Sequence, residues 1–218
     1  MRLGLAPPPD RACLSRLGPE LLAALEEYVR LERHVQNIVT TYCAPTCAAC
    51  RRRCCHACFC QESWRAPWLR AAVALPGAIR RRAASELVEG YLARDGCRLR
   101  FGRPPVCYEF FCETIEDRLA TDSRRYAFRV LSHALSFAGR GAVARTHLVE
   151  LGDLALLRGA RTRRLRERIA LTSKIVTAAS RLFAVGSAVP DPGGQALLAR
   201  YFPCRERRPA PGGPACAA

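Results

Sequence analysis

The sequence predicts a mainly α protein, a helical domain carrying a cysteine-rich loop region, with little or no β structure. Three observations lead there. Apolar residues recur at helical spacing over several long stretches. Strand-like alternation is confined to one short piece around Leu99 and Phe101. Seven of the thirteen cysteines crowd into Cys43–Cys60, CAPTCAACRRRCCHACFC, which reads as a metal-binding loop region.

Residues 1–17 read as a loose arm in which Cys13 is a bystander. A helix is expected to start at Gly18-Pro19-Glu20, because proline at the first helical position loses no hydrogen bond and Glu20 suits the positive end of the helix dipole. Leu21, Leu25, Tyr28, Val35, Ile38, Val39 and Tyr42 then form an apolar face, with Glu26, Arg30, Arg33 and Gln36 opposite. This helix delivers the chain to Cys43. His34 on it reads as a surface residue. After the cysteine run, Trp64 and Trp68 stand at helical spacing and are expected to seal the loop from water. Residues 77–94 read as a helix with Ile79, Ala83, Leu87, Val88 and Tyr91 inward, closed by Asp95-Gly96. Helices are then expected over 123–138, 142–158 and 162–185, the last with Leu165, Ile169, Thr172, Val176, Ala179 and Phe183 on one side and the basic RTRRLRER stripe on the other. His133 and His147 read as structural. The helical domain thus spans 18–185. Residues 186–218, rich in proline and glycine, read as a disordered tail with one short turn at Gln195–Phe202, and Cys204 and Cys216 are left out of any site.

Cys47 and Cys50, and again Cys55 and Cys58, have the two-residue spacing that lets two thiolates converge on one metal ion. A second group, Cys97, Cys107 and Cys112, follows a glycine turn, a double proline and a predicted helix start, which suits it to face the first. The candidate ligands are therefore Cys47, Cys50, Cys54, Cys55, Cys58, Cys60, Cys97, Cys107 and Cys112, shared between two halves of a split site. Soft thiolates select zinc, copper(I) or iron–sulfur clusters, of which zinc or an iron–sulfur cluster is expected here. His56 lies inside the run but reads as a loop histidine, since sulfur donors are plentiful around it. Arg51-Arg52-Arg53 would offset thiolate charge. A disulfide framework fits poorly: the chain is 218 residues long, half apolar, and its odd number of cysteines is concentrated rather than spread.

The formal charge of +16 comes almost wholly from arginine, Lys174 being the single lysine. Arginine-rich faces attract acidic protein or nucleic acid. The longest apolar run, Ala71–Ile79, is broken by Pro76 and Gly77 and is far short of a membrane span, and no secretory leader is legible, so a cytoplasmic protein without membrane contact is expected. No Ser/His/Asp arrangement, metalloprotease motif or phosphate loop stands out, and the sequence leaves open whether the chain is an enzyme.

Cys47-x-x-Cys50-x-x-x-Cys54-Cys55, then Gly96-Cys97-x-Leu99, then Arg103-Pro104-x-x-Cys107 with Phe110 and Cys112, resembles the bacterial zinc- or iron-chelating family known by its CxxCxxCC signature. The resemblance covers about residues 43–112. The chain departs from it by one extra residue before Cys54-Cys55, by Arg53 in place of a glycine, and by the added Cys43, Cys58 and Cys60. The resemblance implies thiolate-bound zinc or iron. Through some relatives it also implies, as an alternative, an iron–sulfur enzyme of redox or lysine-methylase type. A third reading from the residues themselves is an arginine-rich nucleic-acid-binding module with structural zinc.

Overall fold

The structure, a computed structural model, describes residues 9–49, 59, 61–80, 87–93, 96–186 and 191–203. It is mainly helical. A short helix α1 (Ala12–Ser15) precedes the 31-residue α2 (Pro19–Ala49), which begins at the expected proline. Two features of α2 differ from expectation. It runs past Tyr42 with Pro45 inside it, so Cys43 and Cys47 stand on a helix, not in a loop. An internal proline costs about 3 kcal/mol. Tertiary packing offsets this: Tyr42 lies 5.3 Å, ring to ring, from both Phe128 and Phe183, and Cys43 is buried. Burial also extends round α2 to Leu31, Glu32 and Gln36, the last of which was expected on the polar side.

Helices α3 (Glu62–Arg65) and α4 (Pro67–Ala74) are separated at Ala66, whose ψ of 119° is extended because Pro67 disfavours a helical predecessor. This break sends the tryptophans apart. Trp68 is wholly buried against Tyr28 of α2, rings 5.7 Å apart and nearly perpendicular. Trp64 meets Tyr91 at 5.6 Å. Trp68 is a core residue; most of the cysteine run it was expected to seal lies outside the described residues.

Where a helix was expected over 77–94, the described residues form β structure. Strands β1 (Leu87–Glu89), β2 (Leu92–Ala93) and β3 (Gly96–Cys97) make an antiparallel three-stranded meander, and Ile79 bridges Leu99. Gly90 takes φ +55° at the turn between β1 and β2, a conformation that interrupts a right-handed helix and is open to glycine. Residues 81–86 lie outside the described residues.

Beyond the meander, α5 (Val106–Glu109) follows Pro104-Pro105 and α6 (Glu113–Asp117) follows Cys112. Helix α7 (Asp122–Gly139) starts where the Thr121 hydroxyl accepts the Arg124 N–H at 3.2 Å. Helix α8 (Ala160–Val185) ends at Gly186, left-handed at φ 70°. Both match the expected helices within three residues. The helix expected over 142–158 is instead two 3-10 turns, Leu148–Glu150 and Leu154–Leu156, joined by irregular chain. His147 and Asp153 compete for backbone donors there, accepting from Val149 N at 3.3 Å and Ala155 N at 2.8 Å, which closes each turn before an α-helix propagates. Within the expected tail, Asp191 caps the ten-residue α9 (Pro192–Tyr201) by accepting from Gly194 N at 3.0 Å. Helix α9 is held by Tyr126, whose hydroxyl donates to the Phe202 carbonyl at 2.7 Å.

The core lies where α2, α7 and α8 pack together, with α4 against α2. Leu25 and Val35 of α2, Leu131 and Leu135 of α7, and Ile175 and Val176 of α8 are all fully shielded from water. Each such side chain contributes about 1.5–3 kcal/mol of burial. No helix among the described residues is long and apolar enough to cross a membrane.

Candidate metal centre

The second cysteine segment is pinned to α2 by one buried carboxylate. Glu32 lies in register with Leu25, Tyr28, Val35 and Val39, the inward seam of α2, and is fully buried. Its Oε2 accepts the Gly102 N–H at 2.8 Å, and its Oε1 accepts both the Arg103 N–H and the Tyr108 hydroxyl at 2.9 Å. Gly102 holds φ +77°, and a Cβ there would stand 2.6 Å from Val73 Cγ2, so both conformation and space require glycine. Arg103 folds back on its own turn, donating from Nε at 3.0 Å and Nη2 at 2.6 Å to the Leu99 carbonyl. Pro104 and Pro105 then carry the chain into α5, where Cys107 is exposed and Tyr108 buried.

Burial pushes the Glu32 carboxyl up to about 7, against the pull of the Gly102, Arg103 and Tyr108 donors and of the Arg103 charge. Burial of Arg103 disfavours its charge, but Tyr108, Cys97, Glu32 and Cys107 around it outweigh that and raise its pKa above the ordinary range. A permanent cation therefore stands close enough to the candidate ligands Cys97 and Cys107 to interact with their charge.

Two further thiols stand near the C-terminal end of α2. Cys43 and Cys47 are one turn apart, so they share a helix face. Burial, then the nearby Cys47 and Cys112, push the Cys43 thiol up to about 12, opposed by Arg118. Arg118 lies over the Tyr42 ring at 5.4 Å from its centroid and donates to the Thr46 hydroxyl, which holds its charge beside these thiols.

The two cysteine segments touch through aromatic rings. Phe59, between Cys58 and Cys60 in sequence, stacks on Phe110, between Cys107 and Cys112, with centroids 6.3 Å apart and planes 30° from parallel. Phe110 is otherwise 72% exposed, unusual for a phenylalanine.

Of the nine expected ligands, the structure places Cys47, Cys97, Cys107 and Cys112, with Cys47 and Cys107 exposed and Cys97 and Cys112 half-buried. Cys50, Cys54, Cys55, Cys58 and Cys60, like His56 and Arg51-Arg52-Arg53, lie outside the described residues. Among the described residues no group of three or more His, Cys, Asp or Glu is placed to hold a metal ion. Cys13 lies far along the chain on α1, its thiol pushed up by burial and by Asp10. His147 is structural: it caps the first 3-10 turn, and its Nε2 lies 3.1 Å from the Ser136 carbonyl.

Sequence reasoning passed over Glu32 and Arg118, and it treated Cys43 only as an addition to the motif. Periodicity contained the signal for Glu32, which falls four residues after Tyr28 and three before Val35. Arg118 carried no local signal, because its partner Thr46 is 72 residues away and Tyr42 is further still. No protein-family model matches the chain, and neither curated proteins nor solved structures include one that matches it.

Proposed function

We propose that this chain is a metal-binding protein that holds zinc or an iron–sulfur cluster through thiolates drawn from both cysteine segments. The observation that carries the reading is the stacking of Phe59 on Phe110, which joins the run ending at Cys60 to the segment from Cys97 to Cys112. Two further features support it. Helix α2 bears Cys47 near one end and, through Glu32, anchors the Cys97–Cys107 turn, so one rigid element orders both halves. Arg103 and Arg118 supply positive charge beside the thiols, as an anionic thiolate centre requires.

The test is metal content and visible absorption of protein purified without oxygen. Stoichiometric zinc in a colourless protein supports a structural or binding role. Iron with acid-labile sulfide and a broad visible band supports the cluster, and with it an enzyme of redox or lysine-methylase-like type. Protein that carries neither metal after reconstitution refutes the proposal. A nucleic-acid-binding role beside a structural zinc draws on the exposed Arg161, Arg163 and Arg164 at the start of α8. That role requires binding that weakens steeply with salt.

A further inference from the structure

We infer that Glu32 is a positioning residue of the metal centre, fixing the Cys97–Cys107 turn in its ligating shape before any metal arrives. The inference rests on the metal-binding reading above and adds to it a residue outside the cysteine segments, 65 positions from Cys97 and 75 from Cys107 in the chain. Three donors converge on this one carboxylate: the backbone N–H groups of Gly102 and Arg103 and the hydroxyl of Tyr108. They bracket the whole turn between the two cysteines. Gly102 and Arg103 fix the backbone five and six residues after Cys97, and Tyr108 fixes the residue next to Cys107. The carboxylate is completely shielded from water, so no solvent donor competes for its oxygens.

The same grip orients Arg103. With its N–H on Glu32, its guanidinium reaches back to the Leu99 carbonyl, near enough to Cys97 and Cys107 to interact with their charge. Glu32 thus acts on the centre in two ways: it fixes the backbone that joins two candidate ligands, and it orients the Arg103 guanidinium near them. Partners of this kind, one step removed from the ligands, typically change metal affinity 10- to 100-fold.

The chemistry predicts which substitution is informative. In Glu32→Gln one oxygen still accepts from Arg103 and Tyr108, but the amide turns a donor toward the Gly102 N–H and that bond is lost. Tyr108→Phe removes a single donor and leaves the backbone bonds in place. Leu135→Ala in α7 serves as the control, because it opens the core without removing any of the three donors to Glu32. Each full-length chain, reduced and metal-free, is titrated with zinc against a chromophoric chelator. The same chains are titrated with cobalt(II), whose sulfur-to-metal absorption reports thiolate ligation. Amide exchange at Gly102 and Arg103 is followed in the metal-free proteins.

The expected result is a zinc affinity about tenfold or more weaker in Glu32→Gln and a smaller loss in Tyr108→Phe. Leu135→Ala should melt earlier but keep wild-type affinity. Gly102 exchange should be slow in the metal-free wild type and fast in Glu32→Gln. Wild-type affinity and cobalt spectrum in Glu32→Gln would overturn the inference while leaving the metal-binding reading intact. An equal affinity loss in Leu135→Ala would also overturn it, since general loosening would then suffice. A wild-type chain that binds neither ion would overturn both.

Discussion

Glu32 makes the stability of this protein fall as pH rises through the neutral range. Burial lifts its carboxyl from an ordinary 4.5 to about 7 in the folded chain, while the unfolded chain keeps the ordinary value. Below 4.5 both states are protonated and the contribution is fully present. Between 4.5 and 7 the unfolded state ionises first, so stability declines, and above 7 the loss is complete. Each pKa unit corresponds to about 1.4 kcal/mol, so the loss is about 3 kcal/mol. The groups facing Glu32 do not titrate in this window. Tyr28 and Tyr108 are held well above their ordinary range, by burial first and by Glu32 second, and Arg103 stays charged. Glu32→Gln lacks the titration but shares every other group. The assay is urea unfolding of both metal-free, reduced proteins by circular dichroism from pH 4 to pH 8.5. Glu32→Gln should be less stable at low pH, because Gly102 loses its acceptor. The wild-type advantage should then shrink by about 3 kcal/mol across the range. Parallel curves would refute the reasoning, and an advantage growing with pH would mean that Arg103 and the three donors keep Glu32 ionised.

Other outcomes follow from the packing. Trp68→Ala removes the largest fully buried side chain and should cost about 3–5 kcal/mol by chemical denaturation. Trp68→Phe should cost less, since among the described residues the indole Nε1 has no hydrogen-bond partner to lose. A Cβ at Gly139 would stand 2.5 Å from His147 Cε1 and Nε2, on a ring tied to Val149 N and beside the Ser136 carbonyl. Gly139→Ala should therefore cost about 1–3 kcal/mol, as overpacking does. Thr121→Ala removes the cap of α7 and should cost about 1 kcal/mol, read from the shift of the urea midpoint at unchanged slope. Cys13→Ser should leave metal content unchanged.

The long helices were legible because their signals were redundant. Helix α8 combines an inward set of Leu165, Ile169, Val176 and Ala179 with a polar opposite face, and Gly186 ends it. Periodicity failed where local chemistry overrode it. Gly90 sat in the middle of the helix expected over 77–94, and its positive φ makes it the turn of a meander. Ala144, at φ 52°, His147 and Asp153 did the same to the helix expected over 142–158. The cysteine run erred the other way: read as a loop, its first residues with Pro45 lie inside α2, where Tyr42 packs against Phe128 and Phe183.

The site divides along similar lines. Spacing divides the cysteines into two segments along the chain. What holds the second segment in place could not be read there, since Glu32 and Tyr108 meet across 76 residues and only the folded chain brings them together. An acidic residue on the apolar seam of a helix was the available clue, since burying a carboxylate without donors is costly.

The most direct test of a centre shared between the two segments is the cobalt(II) titration of Cys107→Ser beside Cys47→Ser, each in the full-length reduced chain. The account predicts that either substitution alone weakens or abolishes the same sulfur-to-cobalt band and its stoichiometry. A Cys107→Ser chain that binds cobalt with wild-type intensity and affinity would contradict it, and would confine the metal to the run from Cys43 to Cys60.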